Sequence, residues 1–383
     1  MAEAYFDNSA TTPMVQPVID VLMDQLKNHW GNASTGYGYG RDAKRVLEDS
    51  RHIITNSIGA QDDEIVFTSG GSESDNTAIT QVAHARQSLG KHIITTAVEH
   101  EAVLKSCQAL EQEGFKVTYL PVDQQGMISL DDLKDALDDQ TTLVSVMMAN
   151  NEVGTKMPIH EIGELLADHQ AWFHTDAVQA YGLEQIDVNR DHIDLLSTSA
   201  HKINGPKMIG FLYRREGLKF PSLIKGGDQE NKRRAGTENV PATAAFAKAV
   251  SLLAPAVKKA RGQKFIAFKQ QLVNRLTADG VDFAINGEPV EKAMPQILNL
   301  WIKGVPTQAM QNSLDLAGFA VSGGSACTAG SLEPSHVLEA MFGSDSPRIN
   351  ESIRVSLGVM NTAEQVDALA DNIAKIAKRV KEG

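Results

Sequence analysis

Ile65-Val-Phe-Thr-Ser-Gly-Gly-Ser-Glu-Ser-Asp-Asn76 decides the fold: a short β-branched run stops at two glycines, and a helical pattern opens at once from Ser72. The same alternation of strand and helix continues to Arg214. Further candidate strands are His92-Ile-Ile-Thr-Thr96, Lys116-Val-Thr-Tyr-Leu120, Leu143-Val-Ser-Val-Met147, Trp172-Phe-His-Thr175, Asp194-Leu-Leu-Ser-Thr198 and Ile209-Gly-Phe-Leu-Tyr213. Helical patterns lie between several of them: 72–88 before Gly90, 101–113 before Gly114, and 159–169. Glycine is the usual residue just past a helix end. Seven strands alternating with helices imply an α/β fold with a mainly parallel sheet covered on both faces. Sites in such sheets collect at the carboxyl ends of the strands.

Past Gly217 the alternation loosens into a glycine-rich, charged stretch, 225–239, and then a long helical pattern, 241–277. Pro295-Gln-Ile-Leu-Asn-Leu-Trp-Ile302 and Ser352-Ile-Arg-Val-Ser-Leu357 read as strands, with a loop over 323–331. A final helix is well specified by a Thr362/Gln365 capping box and an apolar stripe of Val366, Leu369, Ile373, Ile376 and Val380. The expected organisation is a large domain over 14–255 and a smaller α+β domain formed by 1–13 and 256–383.

The chain has 383 residues, 36 Lys+Arg against 48 Asp+Glu for a net charge of −12, and two cysteines. Two cysteines cannot build a disulfide framework or a four-cysteine zinc site, and point to free thiols in a reducing compartment. The acidic balance does not favour direct binding to a nucleic-acid backbone. No secretory signal pattern opens the sequence, and the longest nearly uncharged apolar run, 249–257, is far short of the ~20 residues of a membrane helix. A cytoplasmic protein with no membrane role is expected.

The chemistry is carried by strand ends. Asp194-Leu-Leu-Ser-Thr-Ser-Ala-His-Lys202 delivers a lysine that could form a Schiff base with an aldehyde cofactor, or simply be solvated. Asp176 ends another strand; its carboxylate could pair with a protonated pyridine nitrogen, or cap a turn. The Gly70-Gly71-Ser72 corner offers backbone N–H groups and a helix dipole to a phosphate, although a plain turn explains Ser72 alone. It is neither a P-loop nor a dinucleotide fingerprint, and Thr35-Gly-Tyr-Gly-Tyr-Gly40 follows no strand. His100 could stack on a ring and move protons, and Asn150-Asn151 could bond a substrate carboxylate or make a turn. Cys107 falls with Val103 and Leu110 on an apolar helix face and reads as a small core residue. Cys327 stands in Ser322-Gly-Gly-Ser-Ala-Cys-Thr-Ala-Gly-Ser331, where small side chains predict a mobile, exposed loop; it is the candidate nucleophile.

Phe6-Asp-Asn-Ser-Ala-Thr-Thr-Pro13, Phe67 to Asn76, Glu99-His100, Asn150 to Gly154, Asp176-Ala-Val-Gln179, Ser199-Ala-His-Lys202, Gly205-Pro-Lys207, Arg234 to Asn239 and Ser325-Ala-Cys-Thr328 occur in this order. As a set they resemble the cysteine desulfurases, pyridoxal-phosphate enzymes of the class V aminotransferase superfamily. Within these, the long cysteine loop resembles the iron–sulfur cluster and nitrogenase-maturation group. The resemblance implies the aspartate-aminotransferase-like fold of pyridoxal-phosphate transferases and a homodimer. It implies that Lys202 holds the cofactor covalently, His100 stacks on its ring, Asp176 pairs with the ring nitrogen and Gln179 bonds the phenolic oxygen. Gly71, Ser72, Ser199 and His201 would take the phosphate, with Thr237 reaching in from the partner subunit. Asn151, which also borders the cofactor, would grip the substrate carboxylate with Arg354, and Asn32 would lie at the substrate site. Cys327 would take sulfur from L-cysteine as a persulfide, leaving L-alanine, and pass it to an iron–sulfur scaffold or a tRNA-thiolating enzyme.

Three residues depart from the family's usual pattern: Ala33 and Tyr37 stand where Pro and His are common, and Asp228 where a third Gly is common. These bear on loops expected near the substrate mouth. Two other functions remain compatible with the sequence. One is a selenocysteine lyase or related class V lyase or aminotransferase, and the other a sulfur-relay subunit that works through partners.

Overall fold

Apolar runs with no polar face need cover on both sides, and the main sheet supplies it. The computed structural model describes residues 4–323 and 334–382. Seven strands lie in the spatial order Ile65–Thr68, Gly210–Arg214, Leu195–Ser197, Trp172–Asp176, Thr141–Ser145, His92–Thr96 and Lys116–Leu120. The pairings from Lys116–Leu120 through to Leu195–Ser197 are parallel, and Gly210–Arg214 runs antiparallel to both its neighbours. Every residue of Ile65–Thr68, His92–Thr96 and Thr141–Ser145 is buried, as a sheet covered on both faces requires.

Two helices differ from their sequence reading. The pattern over 72–88 is interrupted: Gly71–Asn76 and Val82–Arg86 are α-helical, and Thr77–Gln81 between them widens into a π turn. There Thr77 Oγ1 donates to the Glu73 carbonyl and Thr80 Oγ1 to that of Asn76, both at 2.7 Å, so hydroxyls compete for the helix's own acceptors. The long pattern over 241–277 is two helices, Val240–Ser251 and Pro255–Ala278, meeting at 74°. Pro255 has no N–H to continue the first ladder, but its fixed φ suits the first turn of the second. Among the described residues no single helix is long and apolar enough to cross a membrane.

A second, antiparallel sheet has the order Ser352–Ser356, Ile297–Ile302, Phe283–Asn286. The last strand escapes sequence pattern because three of its four residues are only half-buried and no alternation marks it. Helices Pro255–Ala278 and Ala363–Glu382 pack on one another beside this sheet, and Ala4–Tyr5 pairs in parallel with Phe319–Ala320. Ala4 and Phe6 are buried in the same apolar cluster as Phe265, Leu298, Leu300, Ile353 and Leu369. The capping box forms as read, with Thr362 N–H donating to Gln365 Oε1 and Gln365 N–H to Thr362 Oγ1, both at 3.3 Å.

Leu369 is fully buried in this cluster. Leu369→Ala should lower unfolding free energy by about 2–5 kcal/mol in guanidinium titrations with unchanged m value.

Candidate active site

The carboxyl ends of Ile65–Thr68, His92–Thr96, Trp172–Asp176 and Leu195–Ser197 face one cavity of ≈ 230 Å³, lined by Gly71, Ser72, His100, Asn151, Asp176, Gln179, Ser199, His201, Lys202 and Arg354. Gly71, Ser72, Ser199 and His201 also border an adjoining, more open space with Thr11 and Lys207. Ten residues singled out in the sequence therefore converge.

Lys202 sits on a 3₁₀ turn, Ala200–Lys202, two residues past its strand. Its Nζ donates to the carbonyls of Ser9 and, at 2.9 Å, Ala10, and Gln179 Nε2 donates to Ser9 O at 3.0 Å. The segment 9–13 thus lies across the lysine. It is stitched down by Thr12 Oγ1, which donates to His201 O at 2.7 Å, and by Asn204 Nδ2, which donates to Pro13 O at 2.9 Å.

Asp176 Oδ1 accepts the Val178 N–H at 2.8 Å. Burial pushes its carboxyl above the usual carboxylate range, while His100 and Lys202 pull it back. His100 caps helix Glu101–Gln112, its Nδ1 accepting the Ala102 N–H at 3.1 Å, so the neutral ring carries its proton on Nε2. Burial, with Lys202 and Lys207 nearby, lowers the His201 pKa to about 4, so this imidazole is neutral.

The glycine corner is sterically committed. A Cβ on Gly71 would stand 2.7 Å from Val178 Cγ2, and Gly70 takes φ +143°, a backbone that L side chains rarely adopt. Glu73 braces the corner, accepting the Ser69 N–H at 2.7 Å and pairing with Arg234 at 2.9 Å.

Arg354 is buried. Nη2 donates to Asp7 Oδ1 at 2.7 Å, Nη1 to Asn151 O at 3.0 Å, and Nε has no hydrogen-bond partner. Its own backbone exchanges both hydrogen bonds with Ser322, at 2.7 and 3.1 Å. Beyond Ser322, the chain passes Gly323 into 324–333, so Cys327 lies outside the described residues. Where the chain is described again, Ser335 Oγ donates to Glu152 Oε2 at 2.5 Å and His336 Nε2 bonds Glu99 O at 2.9 Å. Residue 322 is thus bonded to the cavity residue Arg354, and residues 335 and 336 to the sequence neighbours of Asn151 and His100.

A family model described as aminotransferase class-V matches residues 4–369. A Bacillus subtilis protein provisionally named cysteine desulfurase IscS 1 is 50% identical over 99% of this chain and 100% of its own length. The chain belongs to the cysteine desulfurase family of class-V aminotransferases. This desulfurase-family chain also superposes on a solved NifS-like protein with TM-score 0.91 at 34% identity, covering 99% and 100% of the two chains. A solved SspA in complex with cysteine gives 0.81 at 34% identity, covering 92% and 98%. The fold is that of the pyridoxal-phosphate-dependent transferases.

Two candidates do not reach the cavity. Asn32 is exposed and its Oδ1 accepts the Ser34 N–H at 2.9 Å, a local turn; Thr237 is exposed on the stretch before helix Val240–Ser251. Tyr37 and Asp228 are also exposed, and Ala33 is buried in the large core. Cys107 is buried among apolar side chains, and burial pushes its thiol up to about 12, which suits an inert core residue. Sequence reading missed Asp75, which lines the cavity, and Asp7, which pairs with Arg354. Asp75 lies one helical turn past Gly71, and that spacing is the only signal that could have found it.

Glu99 is fully buried. Oε1 accepts the Met147 N–H at 2.8 Å and the Thr96 hydroxyl at 2.9 Å, while Oε2 has no partner; burial raises its pKa to about 8. The unfolded chain releases this proton near pH 4.5 and the folded chain only near 8, so the contribution is full below about pH 4.5 and fades as pH rises to 8. Glu99→Gln should flatten this decline in denaturant melts between pH 5 and 8; parallel curves for the two proteins would show an ionised Glu99.

Proposed function

We propose that this protein is a homodimeric cysteine desulfurase that uses pyridoxal 5′-phosphate to convert L-cysteine to L-alanine and carries the sulfur away as a persulfide on Cys327. The observation that carries the reading is the convergence of Lys202, Asp176, His100 and the Gly71-Ser72 corner on one cavity, with Arg354 beside it. The residues fit the cofactor. A lysine amine meets an aldehyde, a buried carboxylate meets a ring nitrogen, and a helix start with no room for a Cβ meets a phosphate. Lys202 would hold it covalently, His100 would stack on the ring, Gln179 would bond the phenolic oxygen, and Ser72, Ser199 and neutral His201 would take the phosphate. Thr237 would serve the partner's site.

When bound, pyridoxal phosphate supplies an electron sink next to the substrate's α-carbon. The chain's own residues do the rest. Arg354, with Asn151, grips the substrate carboxylate. The Cys327 thiolate attacks the substrate sulfur and a sulfur–sulfur bond forms as the carbon–sulfur bond breaks. The electron pair stays with the carbon, which takes up a proton and leaves as alanine. His100, whose Nδ1 accepts the Ala102 N–H, would move protons through Nε2. Residues 14–255 would form the cofactor-holding domain, and 1–13 with 256–383 the domain that brings the cysteine segment to it. The persulfide would pass in the cytoplasm to a protein acceptor, an iron–sulfur scaffold or a tRNA-thiolating enzyme.

The purified protein should be yellow, and Lys202→Ala should abolish the visible band; a wild-type protein that takes up no pyridoxal phosphate would refute the reading. Cys327→Ala should keep the band and reduce sulfide release from cysteine by at least about 100-fold, the scale of losing a nucleophile. Light scattering should give twice the chain mass.

A further inference from the structure

The cavity contains one carboxyl group more than the mechanism above employs. Asp75 is buried on the helical run from Gly71. A carboxylate oxygen of Asp75, one of Asp176 and a ring nitrogen of His100 lie within 4.8 Å of one another. Asp75 Oδ1 has no hydrogen-bond partner and stands 3.7 Å from His174 Nε2. His174 is itself clamped, Nδ1 at 2.8 Å from Ser145 Oγ and Nε2 at 3.0 Å from Ser197 Oγ, and burial lowers its pKa to about 3. The Ser197 hydroxyl also stands beside Asp75 and favours its anion, against the larger effect of burial. Polar groups thus follow one another from Asp75 to His174, and from His174 to Ser197 and Ser145.

Two carboxylates within 4.8 Å of one another and out of water raise each other's proton affinity, which favours a pair that holds one proton. Surroundings decide where it sits. Asp176 accepts the Val178 N–H and faces His100 and Lys202, all of which favour its anion. The titratable neighbours of Asp75 are Asp176, Glu99, His174 and His100; the first two oppose its ionisation, and His174 stays neutral.

We propose that Asp75 is a positioning residue, the acid member of a carboxyl pair whose single negative charge it keeps on Asp176, against the cofactor's ring nitrogen. This rests on the pyridoxal-phosphate reading above. Asp75 acts only through Asp176: its proton leaves one charge on the pair, and its side chain fills the polar site beside Ser197 and His174.

The test uses holoenzyme reconstituted with pyridoxal phosphate, comparing wild type, Asp75→Asn, Asp75→Leu and Asp176→Asn by pH titration of the visible band and by cofactor dissociation constant. Asparagine has the shape of the neutral acid, so Asp75→Asn should hold the titration midpoint within about 0.3 pH unit and the dissociation constant within about twofold. Asp176→Asn removes the anion and should lower the midpoint by about one unit or more. Asp75→Leu, with no polar group for Ser197, should weaken cofactor binding about tenfold, a loss that Asp75→Asn does not show. A midpoint in Asp75→Asn that falls as far as in Asp176→Asn would place the charge on Asp75 and overturn the proposal. So would an Asp75→Leu holoenzyme indistinguishable from Asp75→Asn. If the leucine variant does not fold, the two asparagine variants still decide where the charge lies. A wild type with no visible band would fail at the cofactor reading itself and take the proposal with it.

Discussion

A buried guanidinium cannot be left to itself, and Arg354 organises the molecule around that requirement. Its charge is met by Asp7 and by the Asn151 carbonyl, and its backbone pairs with Ser322. Those contacts draw together the N-terminal segment, the loop after Thr141–Ser145 and the second sheet. Breaking one partner of such a buried pair costs about 3–5 kcal/mol, because the remaining charge has no water to turn to. With residue 7 tied to Arg354, residues 9–13 run across Lys202 and close one wall of the cavity.

The second organising fact is how little charge the interior retains. Asp75, on the helix from Gly71, and Glu99 and Asp176, at or just past strand ends, are three buried carboxyls, and burial pushes all three towards the acid form. His174 and His201 are driven the other way, to neutral imidazoles. Burial thus works against full charge on the titrating groups of this interior, whichever sign they would carry. The −12 carried by the whole chain says nothing about this balance.

Much of this was legible in the residues. Seven β-rich runs became the seven strands of the main sheet; most are buried on both faces and so advertise themselves by composition, while the edge strand Lys116–Leu120 shows itself by its β-formers Val117, Thr118 and Tyr119. Lys202, Asp176, His100 and Gly71 could be placed because each follows such a run, and parallel sheets bring these ends together. The Thr362/Gln365 capping box was legible because it is a local device. Phe283–Asn286 was not, since its half-burial depends on its neighbours. Nor was the break at Pro255, where a helix start and a helix interruption look alike without the 74° turn between them.

What the sequence determined by itself was the set of chemical groups and the edge of the sheet on which they stand, because both follow from residue type and short-range periodicity. Only the tertiary structure decided which groups touch. Asp7 meets Arg354 across 347 positions, and the N-terminal carbonyls meet the Lys202 amine across more than 190. The structure likewise set the two aspartates, Asp75 and Asp176, side by side. No local pattern encodes such pairs. They arise where separate elements pack, and the dielectric and proton occupancy of each group follow from that packing.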